Sequence, residues 1–178
     1  MAPLRAVPGV VMDLMGPLPM VELGRIADEP IEPTPTMEHS LFLSDLDEEA
    51  IQTISEITGA GSGSPLAVVQ IRHLGGAFAR RHPGQGAAGH LDRPYILFAL
   101  GIPAMPELAA AIQTTFARLD QALSGHSNGR TVPNFLGADG DPRRAWAPEV
   151  LERLTAVKRD VDPESVIRSN RPISGSSA

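Results

Sequence analysis

The five histidines of this 178-residue chain are the first side chains to weigh for chemistry, because imidazole serves as a metal ligand and as a general base. His73, His82 and His90 follow one another at intervals of nine and eight residues, without an HExxH pair or other close ligand spacing. The chain contains no cysteine, which excludes disulfides, thiolate catalysis and cysteine-ligated zinc. We therefore expect no metal site and interpret these histidines as strand-end and loop side chains.

Motifs for nucleophilic or phosphate-binding sites are equally sparse. The serines between Gly61 and Pro65 do not form the GxSxG elbow of hydrolases, and this stretch is typical of a flexible connection. Gly75 and Gly76 follow a strand candidate, but they make neither a GxGxxG fingerprint nor a P-loop. A bulge or turn is the simpler interpretation of this glycine pair. The sequence therefore predicts no dinucleotide cradle.

Asn134 is the polar residue with the most suggestive setting. It lies between Pro133 and Phe135 in the segment RTVPNFLG, which we expect to be extended, so its amide has a stiff support. A held amide could donate to and accept from the edge of a ring-shaped ligand. The alternative is an asparagine that satisfies local backbone groups, which is the commoner role of this residue type.

The net charge excludes one class of partner. At −6, with a pI of about 5.3, the chain lacks the concentration of Lys and Arg that a phosphate backbone requires, so we expect no nucleic-acid partner. Four prolines interrupt the mildly apolar N-terminus, and neither a signal peptide nor a membrane span is predicted. Together with the lack of cysteine, this favours a soluble, cytoplasmic protein.

Three segments have the composition of β-strands, namely 41–43, 66–74 and 95–102. Residues 1–40, rich in proline and acidic residues, predict an irregular segment with one short helix at Met20–Ile26. The links between the strands are rich in turn residues and too short for repeated βαβ units. This pattern favours an antiparallel sheet.

Helices should flank that sheet. Ser44, with Asp47 three residues later, predicts a capped start for the first helix, which ends at Gly59. The second runs from Pro106 to Ser124 and has apolar residues at spacings of three and four. The last begins at Pro148 and cannot continue through Asp162 and Pro163. The predicted fold class is α+β, an antiparallel sheet flanked by helices.

Four stretches, in this order, match a known family pattern: RHLGGAFAR, GHLDRPYILFALG, PNFLGADGDPRRAW and LERLTAVKRDVDPESVIRSNRPI. The last is the most specific, because it places the family's leucine, lysine, Asp-Pro pair and asparagine at Leu154, Lys158, Asp162, Pro163 and Asn170. The chain resembles the C-terminal half of bacterial FAD-linked oxidases of the berberine-bridge-enzyme type.

The resemblance implies a division of the chain. Residues 1–129 would form part of a substrate domain whose sheet covers the isoalloxazine ring, although incomplete relative to the family. Residues 130–173 would return to pack on the FAD domain, and 174–178 would be a disordered tail. In the family, FAD is held mainly by an N-terminal domain, to which nothing in this sequence corresponds.

The resemblance also assigns site residues. Asn134 matches the asparagine of the family's Tyr-x-Asn element beside the flavin and is the expected cofactor-binding residue. The tyrosine of that element falls at Val132, which cannot transfer a proton, so no catalytic residue is assigned. Either another residue serves, with His73 and Tyr95 as the titratable candidates, or the enzyme performs a different redox step on the flavin. We assign His73 and Tyr95 to substrate binding.

The implied function is the C-terminal, substrate-binding portion of an oxidoreductase that passes a hydride from a small organic substrate to FAD. Its partner would be a FAD-binding domain in cis or in trans, and the chain alone would be inactive and prone to self-association. The alternative is a stand-alone α+β module for ligand binding or interaction, derived from such an enzyme.

Overall fold

A computed structural model describes the chain over residues 2–13, 15–26, 32–137, 140–169 and 172–173. The chain divides into two compact units, Met1–Thr34 and Pro35–Ala178. The first holds helix α1 (Ala2–Arg5) and a 3-10 helix at Met20–Ile26, the position predicted for a short helix. The second unit contains the sheet and the remaining helices.

The sheet is antiparallel and three-stranded, as predicted. Strand β3 (Tyr95–Gly101) lies between β1 (Met37–Leu43) and β2 (Val68–His73), with Leu97 opposite Leu41 on one side and Ile71 on the other. Helices flank the sheet, so the α+β class is confirmed. Strand β1 starts earlier than the predicted residue 41.

The early start of β1 has a tertiary cause. Its polar residues His39 and Ser40 gave no apolar signal in the sequence, yet both are buried with hydrogen-bonding partners. The His39 Nε2 atom is 2.8 Å from Asp120 Oδ1, and the imidazole stacks on Phe116 at a centroid distance of 5.1 Å. A strand with polar residues is stable here because a helix supplies the partners of His39, and the segment after that helix supplies those of Ser40.

Helices α2 (Glu48–Thr58) and α3 (Pro106–Ala122) pack on one face of the sheet. Proline at the first turn of α3 removes a backbone N–H that would have no helical partner. The predicted apolar face of this helix is confirmed, since four of its side chains are buried and a fifth, that of Leu108, is partly buried against the same core. The four buried residues are Ile112, Phe116, Leu119 and Leu123. The core includes Leu41, Leu43, Leu97, Ile54, Ile57, Ile112, Phe116, Leu119 and Leu123.

The predicted N-cap of α2 is wrong by three residues. Asp47, not Ser44, caps the helix, and its carboxylate accepts from the Ala50 backbone N–H at 2.9 Å. The His126 ring also lies 3.1 Å from this carboxylate, and the two hydrogen bonds, that of Ala50 foremost, lower the pKa of Asp47. Ser44 instead donates to the His126 carbonyl oxygen at 3.0 Å.

The segment after α3 is less extended than predicted. It forms short 3-10 helices at Pro133–Phe135 and Pro142–Arg144 before α4 (Pro148–Val161), which starts and ends as expected. No helix in the described part of the chain is long and apolar enough to cross a membrane. Asn170 and the tail 174–178 lie outside the described residues.

Removal of the Phe116 ring tests the predicted core. Phe116 is 7% exposed between α3 and the sheet, so Phe116→Ala should reduce the free energy of unfolding by about 3–5 kcal/mol in urea denaturation. Ile51 on α2 is 49% exposed, so Ile51→Ala should change the free energy of unfolding by less than about 0.5 kcal/mol. Equal effects of the two substitutions would contradict the assignment of this face as core.

Candidate functional site

The face of the sheet opposite α2 and α3 is partly open. Side chains alternate along each strand, so this face carries the residues between those of the core. We call the residues Val68, Gln70, Arg72, Phe98 and Leu100 the open sheet face; the β2 members are exposed and the β3 members half-buried. An open face with apolar and cationic side chains is suited to contact a flat ligand or another domain.

Phe135 rests on the open sheet face. Its ring lies 4.8 Å from that of Phe98 at an interplanar angle of 41°, and the Arg72 guanidinium carbon lies 4.9 Å from its centroid. Gln70 accepts from Arg72 Nη2 at 2.9 Å and so fixes the guanidinium. These contacts combine ring packing with a cation–π attraction. They form a rigid aromatic platform of Phe98, Phe135 and Arg72.

Ser40 holds the segment that carries Phe135. Its hydroxyl donates to the Phe135 carbonyl oxygen at 2.9 Å and also makes a short hydrogen bond with the Thr131 hydroxyl. Ser40 and Thr131 are each 1% exposed. These bonds therefore replace the hydrogen bonds to water that the two hydroxyls lose on burial. The Phe42 backbone N–H donates to the Arg130 carbonyl oxygen at 2.8 Å and continues the attachment along β1.

Arg144 fixes the same segment from its other side. Its Nη2 donates to the Ser40 carbonyl oxygen and its Nε to the Gly129 carbonyl oxygen, each at 2.8 Å. The Arg144 carbonyl oxygen in turn accepts from the Thr131 backbone N–H at 2.9 Å. Residues 129–135 therefore have a defined position against β1.

Asn134 lies in the 3-10 turn between these anchors, and its side chain is exposed. Among the described residues no group accepts from or donates to its amide. No hydrogen bond therefore supports the interpretation that Asn134 satisfies local backbone groups. The amide is available to an external partner. Its contact with a flavin stays a prediction.

His73 and Tyr95 occupy the other side of the sheet. They are directly opposite each other on β2 and β3, and their rings stack at a centroid distance of 5.0 Å and an angle of 25°. Tyr95 packs against the core under α2 and α3. The structure thus brings His73 and Tyr95 together but does not bring them to Asn134. Their role in substrate binding stays a prediction.

A cavity of about 660 Å³, which we call the α4 cavity, opens beside this segment. Its walls come from Phe42, several residues between 81 and 92, residues 130–133 and 145–147, and α4. Val132, which the resemblance places at the family's tyrosine position, is one of the lining residues. Cavities of this size hold small organic ligands. A second cavity of about 570 Å³ lies between Trp146, α4 and Ile173, so Trp146 lines both.

The sequence did not reveal the aromatic platform or the α4 cavity. Strand alternation places Arg72 and Phe98 on one face, and this signal could have selected them. Nothing local indicates that Phe135 or Arg130 would reach the same side of the sheet, because distant hydrogen bonds position both.

Lys158 and Asp162, two residues that match the family pattern, close a turn at the end of α4. The buried carboxylate of Asp162 accepts from the backbone N–H groups of Val166 and Ile167 at 2.9 and 3.0 Å and forms an ion pair with Lys158. Lys158 also donates to the Ile167 carbonyl oxygen at 2.7 Å. The hydrogen bond from Lys158, followed by the two backbone donors, lowers the pKa of Asp162 below its ordinary value.

No known family profile matches the chain. The FAD-linked oxidoreductase aurO of Gibberella zeae is 38% identical in an 81-residue alignment that covers 43% of this chain and 15% of that protein. Physcomitrella patens BBE-like 1, in its wild-type form and in a point variant, superposes with a TM-score of 0.68 at 17% identity, over 85% of this chain and 33% of the moss chain.

The chain has the fold of part of a berberine-bridge-type enzyme. It spans about a third of the moss protein's length and a smaller part of the fungal one. The fungal match, at a higher identity, relates part of the sequence to a FAD-linked oxidoreductase. Neither relative is bacterial, so the bacterial branch expected from the sequence has no support in these likenesses.

The Asp162 cluster makes a pH dependence testable. The pKa of Asp162 is lower in the folded state than the unfolded value of about 3.9. The stabilising contribution of its carboxylate is therefore present above about pH 4 and is lost as the pH falls through the folded pKa. Asp162→Asn should lower the melting temperature at about pH 6, and the gap from the unaltered chain should narrow by about pH 3. A constant gap over this range would refute the ionised role of Asp162.

Proposed function

We propose that this chain is the C-terminal, substrate-domain portion of a FAD-linked oxidoreductase of the berberine-bridge-enzyme type. Its intact form would oxidise a small organic substrate by hydride transfer to FAD. The observation that carries this proposal is the open sheet face, with its aromatic platform beside an exposed Asn134, on a fold shared with such an enzyme. Residues 1–129 would give the sheet, and residues 130–173 the segment that returns to the flavin domain.

The residues present fit one face of a flavin. The open sheet face offers a flat area with half-buried Phe98 and Leu100, and the Asn134 amide can both donate and accept at a ring edge. The fit does not extend to the rest of FAD, because the sequence has no glycine-rich loop that could bind its pyrophosphate. The FAD-binding domain would therefore be a partner, in cis or in trans.

The protein's own part in the reaction would be orientation. FAD supplies the hydride acceptor when bound. Asn134 would fix the position of the ring, and the anchored segment 129–135 would keep Asn134 in place through the Ser40 and Arg144 hydrogen bonds. Val132 can neither take nor give a proton, so this chain performs no base catalysis from that position.

We expect the isolated chain to bind FAD weakly and to be colourless. Only one side of a flavin site is available, and a net charge of −6 gives little attraction for a pyrophosphate. Titration of FAD followed by flavin fluorescence checks this. Tight binding, at micromolar concentration, by a monodisperse monomer would contradict the proposal. The apolar members of the open sheet face, Val68, Phe98 and Leu100, should instead promote self-association of the isolated chain.

Co-expression with the FAD-binding domain of a berberine-bridge-type enzyme tests the function itself. The two chains should co-purify with flavin absorbance, whereas a stand-alone binding module would not take up flavin in this way. In the complex, Asn134→Ala should slow flavin reduction by about tenfold, which corresponds to the loss of one hydrogen bond of about 1.4 kcal/mol.

The control for Asn134→Ala is Gln113→Ala, an equally exposed amide on α3. Gln113→Ala should leave flavin reduction unchanged. The melting temperature of the isolated chain should respond little to either substitution. If Asn134→Ala damages the isolated chain as much as the complex, the residue has a structural role instead.

A further inference from the structure

The guanidinium of Arg130 has no acceptor among the described residues. Its backbone is fixed, because its N–H donates to Asn128 Oδ1 at 3.1 Å and its carbonyl oxygen accepts from Phe42. The side chain is half-buried and lines the α4 cavity, yet its guanidinium makes no hydrogen bond or ion pair with any described residue. Its Nε is shielded from solvent and lacks a partner. Such a group is unfavourable unless an acceptor is supplied.

Arg144, by contrast, has acceptors for its guanidinium within the chain. It lies in the same part of the fold and uses Nε and Nη2 to bind two backbone carbonyl oxygens. Arg144 is therefore part of the scaffold. Arg130 also has an anchored backbone, but its guanidinium donors have no partner among the described residues.

The residues that line the α4 cavity determine the charge and polarity of a ligand that it can accept. Arg81 and Arg153 also line the cavity, whereas its two carboxylates, Asp92 and Glu149, belong to exposed residues. Exposed carboxylates are screened by water, so they oppose an anion less than the half-buried Arg130 attracts it. The apolar part of the lining includes Leu91, Val132, Trp146, Val150 and Leu154.

We propose that the α4 cavity binds a small organic acid. The carboxylate accepts hydrogen bonds from the Arg130 guanidinium, whose planar fork matches two carboxylate oxygens. The apolar body of the acid packs against the indole of Trp146 and the α4 side chains. This inference rests on the cavity alone and needs no flavin, so its failure would leave the function proposed above untouched.

Trp146 is the single tryptophan of the chain and lines the cavity, so its fluorescence reports occupancy of the site directly. The probes are 3-phenylpropionate and its neutral amide, 3-phenylpropionamide, titrated into the full chain. The acid should change the Trp146 emission saturably, and the amide should bind about tenfold to a hundredfold more weakly. Equal binding of the two, or no saturable change up to about 10 mM acid, would overturn the proposal.

Two variants separate the α4 cavity from the second cavity that Trp146 lines. Arg130→Gln should weaken binding of the acid by about tenfold or more, whereas Arg118→Gln, at an exposed arginine on α3, should leave it unchanged. An unchanged affinity in Arg130→Gln would refute the assigned contact. If Arg130→Gln fails to fold, Arg130→Lys takes its place, with weaker binding expected because the fork is lost.

Discussion

The buried hydrogen bonds of Ser40 are the constraint on which the candidate site depends. This one residue of β1 bonds to the Thr131 hydroxyl and the Phe135 carbonyl oxygen with its side chain, and to Arg144 with its carbonyl oxygen. A buried hydroxyl left without hydrogen-bonding partners destabilises the fold by about 1–3 kcal/mol. These contacts therefore select one position for the segment 129–135. The place of Phe135, the exposure of Asn134 and one wall of the α4 cavity all follow from that position.

The sequence predicted the elements whose periodicity comes from burial on one face. Helix α3 is the example, because it turns a regular set of apolar side chains to the core, whereas β3 was indicated by a continuous apolar run. Prediction failed where groups that are distant in the sequence determine the local structure. Ser44 and Asp47 could each cap α2, and His126 beside Asp47 is not visible as a neighbour in the sequence. The aromatic platform joins three separate segments, so no local pattern could assemble it.

The positions that match the family pattern divide by structural role. Lys158 and Asp162 satisfy each other and the backbone after α4, which explains their spacing without any contact to a ligand. Asn134 is different, since it is exposed on an anchored turn and makes no bond with the described residues. Two residues before it, Val132 departs from the pattern and lines a cavity. The likeness in fold therefore does not carry the family's proton chemistry to this chain.

The strand order β1-β3-β2 has a consequence for the newly made chain. Of the three strands of this sheet, β1 emerges first during synthesis and has no partner in the sheet until β3 is complete, because β2 does not pair with it. At about 5–20 residues per second, the interval from Leu43 to Tyr95 lasts about 3–10 s. During this interval Leu41, Phe42 and Leu43 remain an apolar segment without its strand partner. The nascent chain is thus most open to chaperone binding, and to misassociation with neighbouring copies, before its central strand leaves the ribosome.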